Sequence, residues 1–222
     1  METSEVYARL SSVGIIPIIA IDQVDHALAL ADALLAGGLP VIEITFRTAV
    51  ARDVIQLLAR ERPNLLVGAG TVLTRETAVA AKEAGAKFAL APGLNPATVR
   101  CATELDLPFM PGVATPSEVE LALSLGCRML KLFPAALLGG VEMLNALLGP
   151  YGHTGVKFIP TGGVSPSNLE GYLNCKGVAA VGGTWLAKKE DLAAGNWTEI
   201  QQRCAMAVEI VRCTRLTLQR PA

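Results

Sequence analysis

The 222-residue sequence predicts an α/β fold, a single-domain (β/α)8 barrel of the TIM type that spans residues 1–222. Eight short runs rich in Val, Ile, Leu and Phe recur along the chain, as strands buried on both faces of a parallel sheet do. The segments between them carry Ala and Leu at helical spacing, and no linker or change in composition divides the chain. A doubly wound open sheet is the alternative, because it has the same alternation of strands and helices.

The predicted strands cover 15–21, 40–46, 65–72, 88–92, 108–113, 129–134, 156–162 and 177–184. Helices are predicted between them at 22–35, 49–59, 75–84, 97–105, 117–125, 141–148 and 166–173, and an extra helix at each end covers 1–14 and 196–217. Side-chain oxygens at four predicted helix starts can accept hydrogen bonds from free backbone N–H groups. These expected N-caps are Thr74, Asn95, Thr115 and Ser165.

Composition argues against several classes of function. The net charge of −1 offers no basic surface for nucleic acid, and no apolar run is long enough to span a membrane. Residues 1–14 lack the charged and apolar regions of a signal peptide. The five cysteines are scattered, which is typical of reduced core residues in a cytoplasmic protein.

Polar or glycine-rich groups end strand after strand, at 43–47, 68–71, 92–93, 111–112, 131–134, 161–163 and 182–184. In a barrel the carboxyl ends of all strands meet at one mouth, where active sites are built. In an open sheet the same groups would be spread along one edge. This distribution therefore favours the barrel and places its candidate site at the mouth.

Two charged residues lie in otherwise apolar strands. Strand alternation points Lys131 into the barrel and turns Leu130 and Leu132 towards the outer helices. The same alternation points Glu43 into the same interior. A buried lysine either pairs with an acid or loses its proton, and a neutral lysine adds to a carbonyl group. We expect Lys131 to form an imine with a 2-keto acid and Glu43 to move protons; the alternative is a buried ion pair without chemistry.

Groups at other strand ends fit the two ends of such a substrate. Arg47 can bind a carboxylate through two hydrogen bonds, and Thr71 can add a hydroxyl; the alternative for Arg47 is a surface residue at a helix start. The segments Thr161-Gly162-Gly163 and Gly182-Gly183-Thr184 end the last two strands, where barrels commonly bind phosphate. Tight turns are the alternative there. His26 and His153 are expected in solvent, so no metal site and no cofactor are predicted.

Seven motifs, which run in order from about residue 15 to residue 186, resemble the bacterial 2-keto-3-deoxy-6-phosphogluconate (KDPG) aldolases, a family grouped with the 4-hydroxy-2-oxoglutarate (KHG) aldolases. They are Val-Ile-Glu-Ile-Thr-Phe-Arg-Thr, Val-Gly-Ala-Gly-Thr-Val-Leu, Ala-Pro-Gly-Leu, Met-Pro-Gly-Val-Ala-Thr-Pro-Ser-Glu, Leu-Lys-Leu-Phe-Pro-Ala, Pro-Thr-Gly-Gly-Val and Val-Gly-Gly-Thr-Trp-Leu. The resemblance implies a metal-free class I aldolase, a homotrimeric barrel and cleavage of the substrate to pyruvate and an aldehyde. In the Entner–Doudoroff pathway that aldehyde is glyceraldehyde 3-phosphate.

The resemblance also implies roles for single residues. Lys131 corresponds to the Schiff-base lysine and Glu43 to the acid/base. The substrate-binding positions are Arg47 and Thr71 for the carboxylate, Pro92 and Phe133 for the pocket wall, and Thr161, Gly162, Gly163, Gly183 and Thr184 at the phosphate end. Thr184 stands where many members have serine, and Ala136 where many have an acid. These departures leave substrate preference open between KDPG, 4-hydroxy-2-oxoglutarate and the phosphogalactonate epimer, while a structural or binding barrel remains the non-enzymatic alternative.

Overall fold

The computed structural model describes residues 2–218, so both ends of the predicted 1–222 domain, including Met1 of the N-terminal helix, lie outside the described residues. Each of the eight predicted runs contains a strand, usually shorter than the run. The strands are β1 Ile15–Ile19, β2 Val41–Thr45, β3 Leu66–Gly70, β4 Phe88–Leu90, β5 in two pieces, Phe109–Met110 and Gly112–Val113, β6 Met129–Leu132, β7 Lys157–Pro160 and β8 Val181–Gly183.

Helices alternate with these strands. They are α1 Thr3–Val13, α2 Ala27–Ala36, α3 Ala51–Glu61, α4 Arg75–Glu83, α5 Pro96–Glu104, α6 Pro116–Ser124, α7 Val141–Tyr151, α8 Pro166–Leu173, α9 Lys189–Ala194 and α10 Trp197–Leu218. Helix α9 was not predicted, and a 3-10 turn at Val24–His26 replaces the start of the helix predicted at 22–35. The predicted N-caps all stand directly before their helices, and Thr74, Asn95 and Thr115 accept hydrogen bonds from backbone N–H groups.

The strand pairs in residues 2–218 are all parallel, and their order follows the chain. One sheet runs from the first piece of β5 through β4, β3, β2 and β1 to β8, and the other runs from the second piece of β5 through β6 to β7. Single bridges join Phe158 to Val178 and Thr161 to Gly182, between β7 and the β8 region. Strand β1 therefore lies between the second strand and the last, unlike the first strand of a doubly wound sheet.

Strand β5 is interrupted at Pro111, which has no N–H group to donate to a neighbouring strand. The chain is nevertheless held on both sides: Gly112 donates to the carbonyl of Gly93 at 3.1 Å, and Lys131 donates to the carbonyl of Pro111 at 2.9 Å. A Cβ atom on Gly112 would overlap the carbonyl of Pro92. The interruption thus brings the ends of β4 and β5 into direct backbone contact beside the lysine strand.

The interior is apolar except at a few positions. Phe88, Phe158 and many Ile and Leu side chains are fully buried, and the exceptions include Glu43, Thr45, Lys131 and Thr161. Four of the five cysteines are buried as predicted, but Cys213 is exposed on α10, where the prediction of a core position was wrong. Within residues 2–218, no helix combines the length and apolar character needed to cross a membrane.

Candidate active site

The two charged residues predicted to face inward lie against each other. Nζ of Lys131 is 3.4 Å from Oε1 of Glu43, the Lys131 residue is only 5% exposed, and Glu43 is completely buried. Lys131 lies on β6 and Glu43 on β2, strands that do not pair with each other. The contact therefore joins two strands that are not neighbours in a sheet, and no backbone pairing between them brings these side chains together.

The buried pair keeps some hydrogen-bonding capacity. Oε2 of Glu43 is buried and has no hydrogen-bond partner within the described part of the chain. A buried carboxylate oxygen without a donor is costly, so such groups normally serve a purpose other than stability. The aromatic ring of Phe133, two residues beyond the lysine, has its centre 5.7 Å from Nζ. The pair thus combines an amine, a free carboxylate oxygen and an apolar wall.

Glycine on the neighbouring strand makes room for this carboxylate. Glu43 and Thr45 of β2 stand in register with Gly68 and Gly70 of β3. A Cβ atom on Gly70 would overlap Oε1 of Glu43. Gly70 was predicted only as part of the glycine-rich strand end at 68–71, although two glycines beside an inward-facing acid were a usable signal of close approach.

We expect Gly70→Ala to lower turnover by about 10²-fold, the order that a 1 Å displacement of a catalytic group can cost. The added methyl group has to push the Glu43 carboxylate away from Lys131, since the backbone around it is fixed by strand pairing. Steady-state kcat, with the melting temperature as a check of folding, measures the effect. Gly93→Ala is the matched control because a Cβ atom there meets nothing within 4 Å. Unchanged turnover in Gly70→Ala would mean that the carboxylate position is not restrictive.

Arg47 lies at the end of β2 on the wall of a cleft of about 520 Å³. Its Nε donates to Oγ1 of Thr45 at 3.1 Å, and Thr45 in turn donates to the carbonyl of Ile19. The guanidinium is thereby linked to the strand that carries Glu43. Besides Arg47, the polar and charged residues that line the cleft are Asp22, Thr48, Thr184, Lys188 and Lys189. Cations outnumber the single carboxylate, so the cleft suits an anionic ligand.

The glycine-rich ends of β7 and β8 touch each other. Thr161 bridges to Gly182, and a Cβ atom on Gly182 would overlap Oγ1 of Thr161. Gly162 and Gly163 have positive φ angles of 95° and 76°, which favour glycine. Gly183 ends β8, and Thr184 follows it, exposed on the cleft wall.

The remaining predicted site residues are less closely grouped. A Cβ atom on Gly162 would lie 3.3 Å from the ring of Phe133, so the β7 end adjoins the lysine strand. Thr71 follows β3 in the left-handed region, with φ 57°, which is uncommon for threonine and marks a constrained turn. Pro92 lines a different, mostly apolar cleft of about 270 Å³ with Val72, Leu73 and Phe109. Arg47 and Thr184, which were predicted to bind opposite ends of the substrate, line one cleft.

No group of three or more His, Cys, Asp or Glu side chains within residues 2–218 is arranged to hold a metal ion. Of the two histidines, His26 is half-buried and packs edge-on against Trp197, whereas His153 is exposed.

A model of the KDPG and KHG aldolase family matches residues 6–203. The chain belongs to this family. It is 42% identical over 210 residues to a 2-dehydro-3-deoxy-phosphogluconate aldolase of Haemophilus influenzae, covering 95% of this chain and 98% of the relative. It is also 42% identical over 200 residues to the KHG/KDPG aldolase of Escherichia coli K12, covering 90% and 93% of the two chains. The resemblance noted in the seven motifs is thereby confirmed.

Solved structures give the same assignment. The KDPG aldolase of Legionella pneumophila, captured with pyruvate as a covalent carbinolamine, superposes with a TM-score of 0.88 at 39% identity and covers 93% of this chain and 98% of its own. The KDPG aldolase of Zymomonas mobilis ZM4, solved with 3-phosphoglycerate, gives a TM-score of 0.82 at 35% identity and covers 92% and 94%. This chain is a member of a family of lyases whose fold it shares.

Proposed function

We propose that this aldolase cleaves KDPG reversibly to pyruvate and glyceraldehyde 3-phosphate through a Schiff base at Lys131. The observation that carries the proposal is the buried contact between Lys131 and Glu43. Removing two charges from water costs more than a simple pair usually returns, so a buried pair that also keeps a free carboxylate oxygen suits catalysis better than stability. The pyruvate carbinolamine in the Legionella relative supports the same chemistry.

The pair can carry the whole reaction. Lys131 passes its proton to Glu43, and the neutral amine adds to the 2-keto carbon. Glu43 returns the proton to the carbinolamine hydroxyl, which leaves as water and gives a protonated imine. Glu43 removes the proton of the 4-hydroxyl group, the C3–C4 bond breaks, and its electrons pass to the imine nitrogen as an enamine. The aldehyde leaves. Glu43 then returns the proton to C3, and water releases pyruvate and free Lys131.

The substrate has an anion at each end, and we propose that each has its own group of residues. Arg47 and Thr71 bind the α-carboxylate, while Pro92 and Phe133 form apolar wall. Backbone N–H groups of the glycine-rich ends of β7 and β8 bind the phosphate together with the Thr184 hydroxyl. The 520 Å³ cleft supports anion binding at Thr184, because Lys188 and Lys189 also line it. In this arrangement the residues at the phosphate end are Thr161, Gly162, Gly163, Gly183 and Thr184.

Thr184→Asp is expected to lower kcat/KM for KDPG by about 10- to 100-fold relative to Thr184→Asn, since a carboxylate repels the phosphate dianion. The two side chains have nearly the same size, so the difference isolates the charge. Thr184 is exposed and lies outside the strands, whereas Gly163 is unsuitable because its φ is 76° and an added Cβ atom would overlap Ala136. Pyruvate release from KDPG and from 4-hydroxy-2-oxoglutarate measures the effect. Equal losses of kcat/KM on both substrates would mean that the phosphate does not bind at this end of the site.

Cleavage of 4-hydroxy-2-oxoglutarate to pyruvate and glyoxylate is the second candidate activity. The Escherichia coli relative is named for both substrates, which favours a shared site in this chain as well. Kinetics of the unmodified protein with each substrate tests the proposal: we expect the higher kcat/KM for KDPG. Absence of pyruvate from both substrates, and from the phosphogalactonate epimer, would leave a structural barrel.

We further infer that the strands close into a single (β/α)8 barrel preceded by the extra helix α1 and that the protein is a cytoplasmic homotrimer. The bridges between β7 and the β8 region and the β1–β8 pairing support closure. The five unpaired cysteines fit a reducing compartment. The trimer rests on the family resemblance, and the apolar cleft beside Leu73, which is 49% exposed, is a surface that a neighbouring subunit could cover.

A further inference from the structure

An arginine of the last helix forms hydrogen bonds with the segment that follows Thr184. Nη1 of Arg203, on α10, donates to the carbonyl of Trp185 at 3.1 Å and to the carbonyl of Leu186 at 3.4 Å. Nη2 of the same guanidinium donates to Oδ2 of Asp191 on α9. One side chain therefore links the segment that follows β8 to helix α9.

The ion pair between Arg203 and Asp191 is largely buried. The side chains of Arg203 and Asp191 are 17% and 14% exposed, whereas the other ion pairs on the outer surface are mostly open to water. Burial by itself would raise the pKa of Asp191, but hydrogen bonds from Arg203 and Asn196 outweigh it and hold the pKa below its ordinary value. The carboxylate is thus kept charged and paired at neutral pH, and the guanidinium is fixed between it and the two carbonyls.

The segment that Arg203 contacts, residues 184–188, forms part of the cleft wall. Thr184, Ala187 and Lys188 line the cleft that also contains Arg47. In the part of the chain that the structure describes, no other side chain donates a hydrogen bond to the backbone of residues 184–187. Arg203 thus donates to the backbone that directly follows Thr184, although this arginine does not line the cleft itself.

We propose that Arg203 is a positioning residue for recognition of the substrate phosphate, acting through the backbone of Trp185 and Leu186 on Thr184 and Lys188. The inference rests on the proposed function, because it concerns the phosphate end of that site. In this proposal, the Arg203–Asp191 ion pair, which lies outside the strands, contributes to the preference for phosphorylated substrates. Lys131 and Glu43 are held by β6 and β2, so loosening this segment leaves the reacting groups in place.

The test compares Arg203→Gln, Arg203→Lys and Asp191→Asn with the unmodified protein. We expect Arg203→Gln to raise KM for KDPG about tenfold with kcat changed less than about twofold, since orientation of the distant anion is lost. The kcat/KM for 4-hydroxy-2-oxoglutarate, which has no phosphate, should stay within about twofold. Arg203→Lys restores part of the loss, because lysine still donates but without the planar fork. Arg212→Gln is the matched control, because Arg212 lies on the same helix and its ion pair with Glu209 is exposed.

Direct binding separates this inference from the proposed function. Titration with inorganic phosphate, followed by calorimetry, should give a Kd for Arg203→Gln about tenfold weaker than for Arg212→Gln, whether or not KDPG is the substrate. Equal losses on both substrates, or unchanged phosphate binding, would reduce Arg203 to a purely structural role and overturn the proposal. If Arg203→Gln does not fold, Asp191→Asn takes its place in the test, because it weakens the ion pair with Arg203 but keeps the arginine. Unchanged phosphate binding in Asp191→Asn would also overturn the proposal. Failure of the unmodified protein to cleave KDPG would instead reject the proposed function.

Discussion

Lys131→Ala is expected to abolish measurable cleavage, the largest loss of activity among the variants considered. The chain has seven lysines, and the other six, Lys82, Lys87, Lys157, Lys176, Lys188 and Lys189, are all exposed. Only Lys131 combines burial with a carboxylate 3.4 Å away that can move protons during imine formation. Incubation with pyruvate and borohydride, followed by peptide mapping, should modify Lys131 alone. A reduced adduct on any other lysine would refute the assignment.

The stability of this variant needs its own control. Removing one partner of a buried pair typically costs about 3–5 kcal/mol, because the other charge is left uncompensated. Lys131→Ala leaves Glu43 buried without its partner, so a loss of activity has to be distinguished from a loss of folded protein. Lys131→Met combined with Glu43→Gln keeps both side-chain volumes and removes both charges. We expect the double variant to be folded, at least as stable as Lys131→Ala in denaturant unfolding, and inactive, which assigns the loss to chemistry.

Much of the fold can be predicted from local patterns in the sequence. Runs such as 15–19 and 66–70 are apolar and buried on both faces, and Asn95 and Thr115 with a following proline mark helix starts. Strand alternation also placed Glu43 and Lys131 on inward faces. Their distance could not be predicted, because it depends on which strands face each other across the interior.

Other features depend on contacts between distant segments. The break in β5 combines Pro111 with the approach of Gly112 to Pro92, and neither residue alone predicts where pairing stops. Arg203 lies in an ordinary amphipathic stretch of α10, and nothing in its surroundings along the chain points to the Trp185 and Leu186 carbonyls 18 and 17 residues earlier. The placement of Pro92 and Arg47 in different clefts was missed for the same reason, since it depends on how segments far apart in sequence lie in space.

Glu43→Gln is expected to lower kcat by about 10²–10⁴-fold, the usual contribution of general acid–base catalysis. Glutamine has nearly the same size, which matters here because Gly70 leaves no spare room beside the carboxylate. The variant keeps Lys131 and the apolar wall, so some imine forms. Borohydride trapping with pyruvate should therefore continue at a reduced rate, while release of pyruvate from KDPG falls much further.

Glu43→Asp provides the matched comparison, because it keeps a proton acceptor and withdraws it from Lys131 by one methylene. Its kcat should lie between those of the unmodified protein and Glu43→Gln if proton transfer is the function of the carboxylate. If Glu43 serves only to balance the charge of Lys131, Glu43→Asp retains nearly full turnover, and Glu43→Gln slows trapping and cleavage to the same extent. Near-normal turnover in Glu43→Gln would assign proton transfer to another group or to water, because the glutamine amide cannot accept the 4-hydroxyl proton and return it to C3.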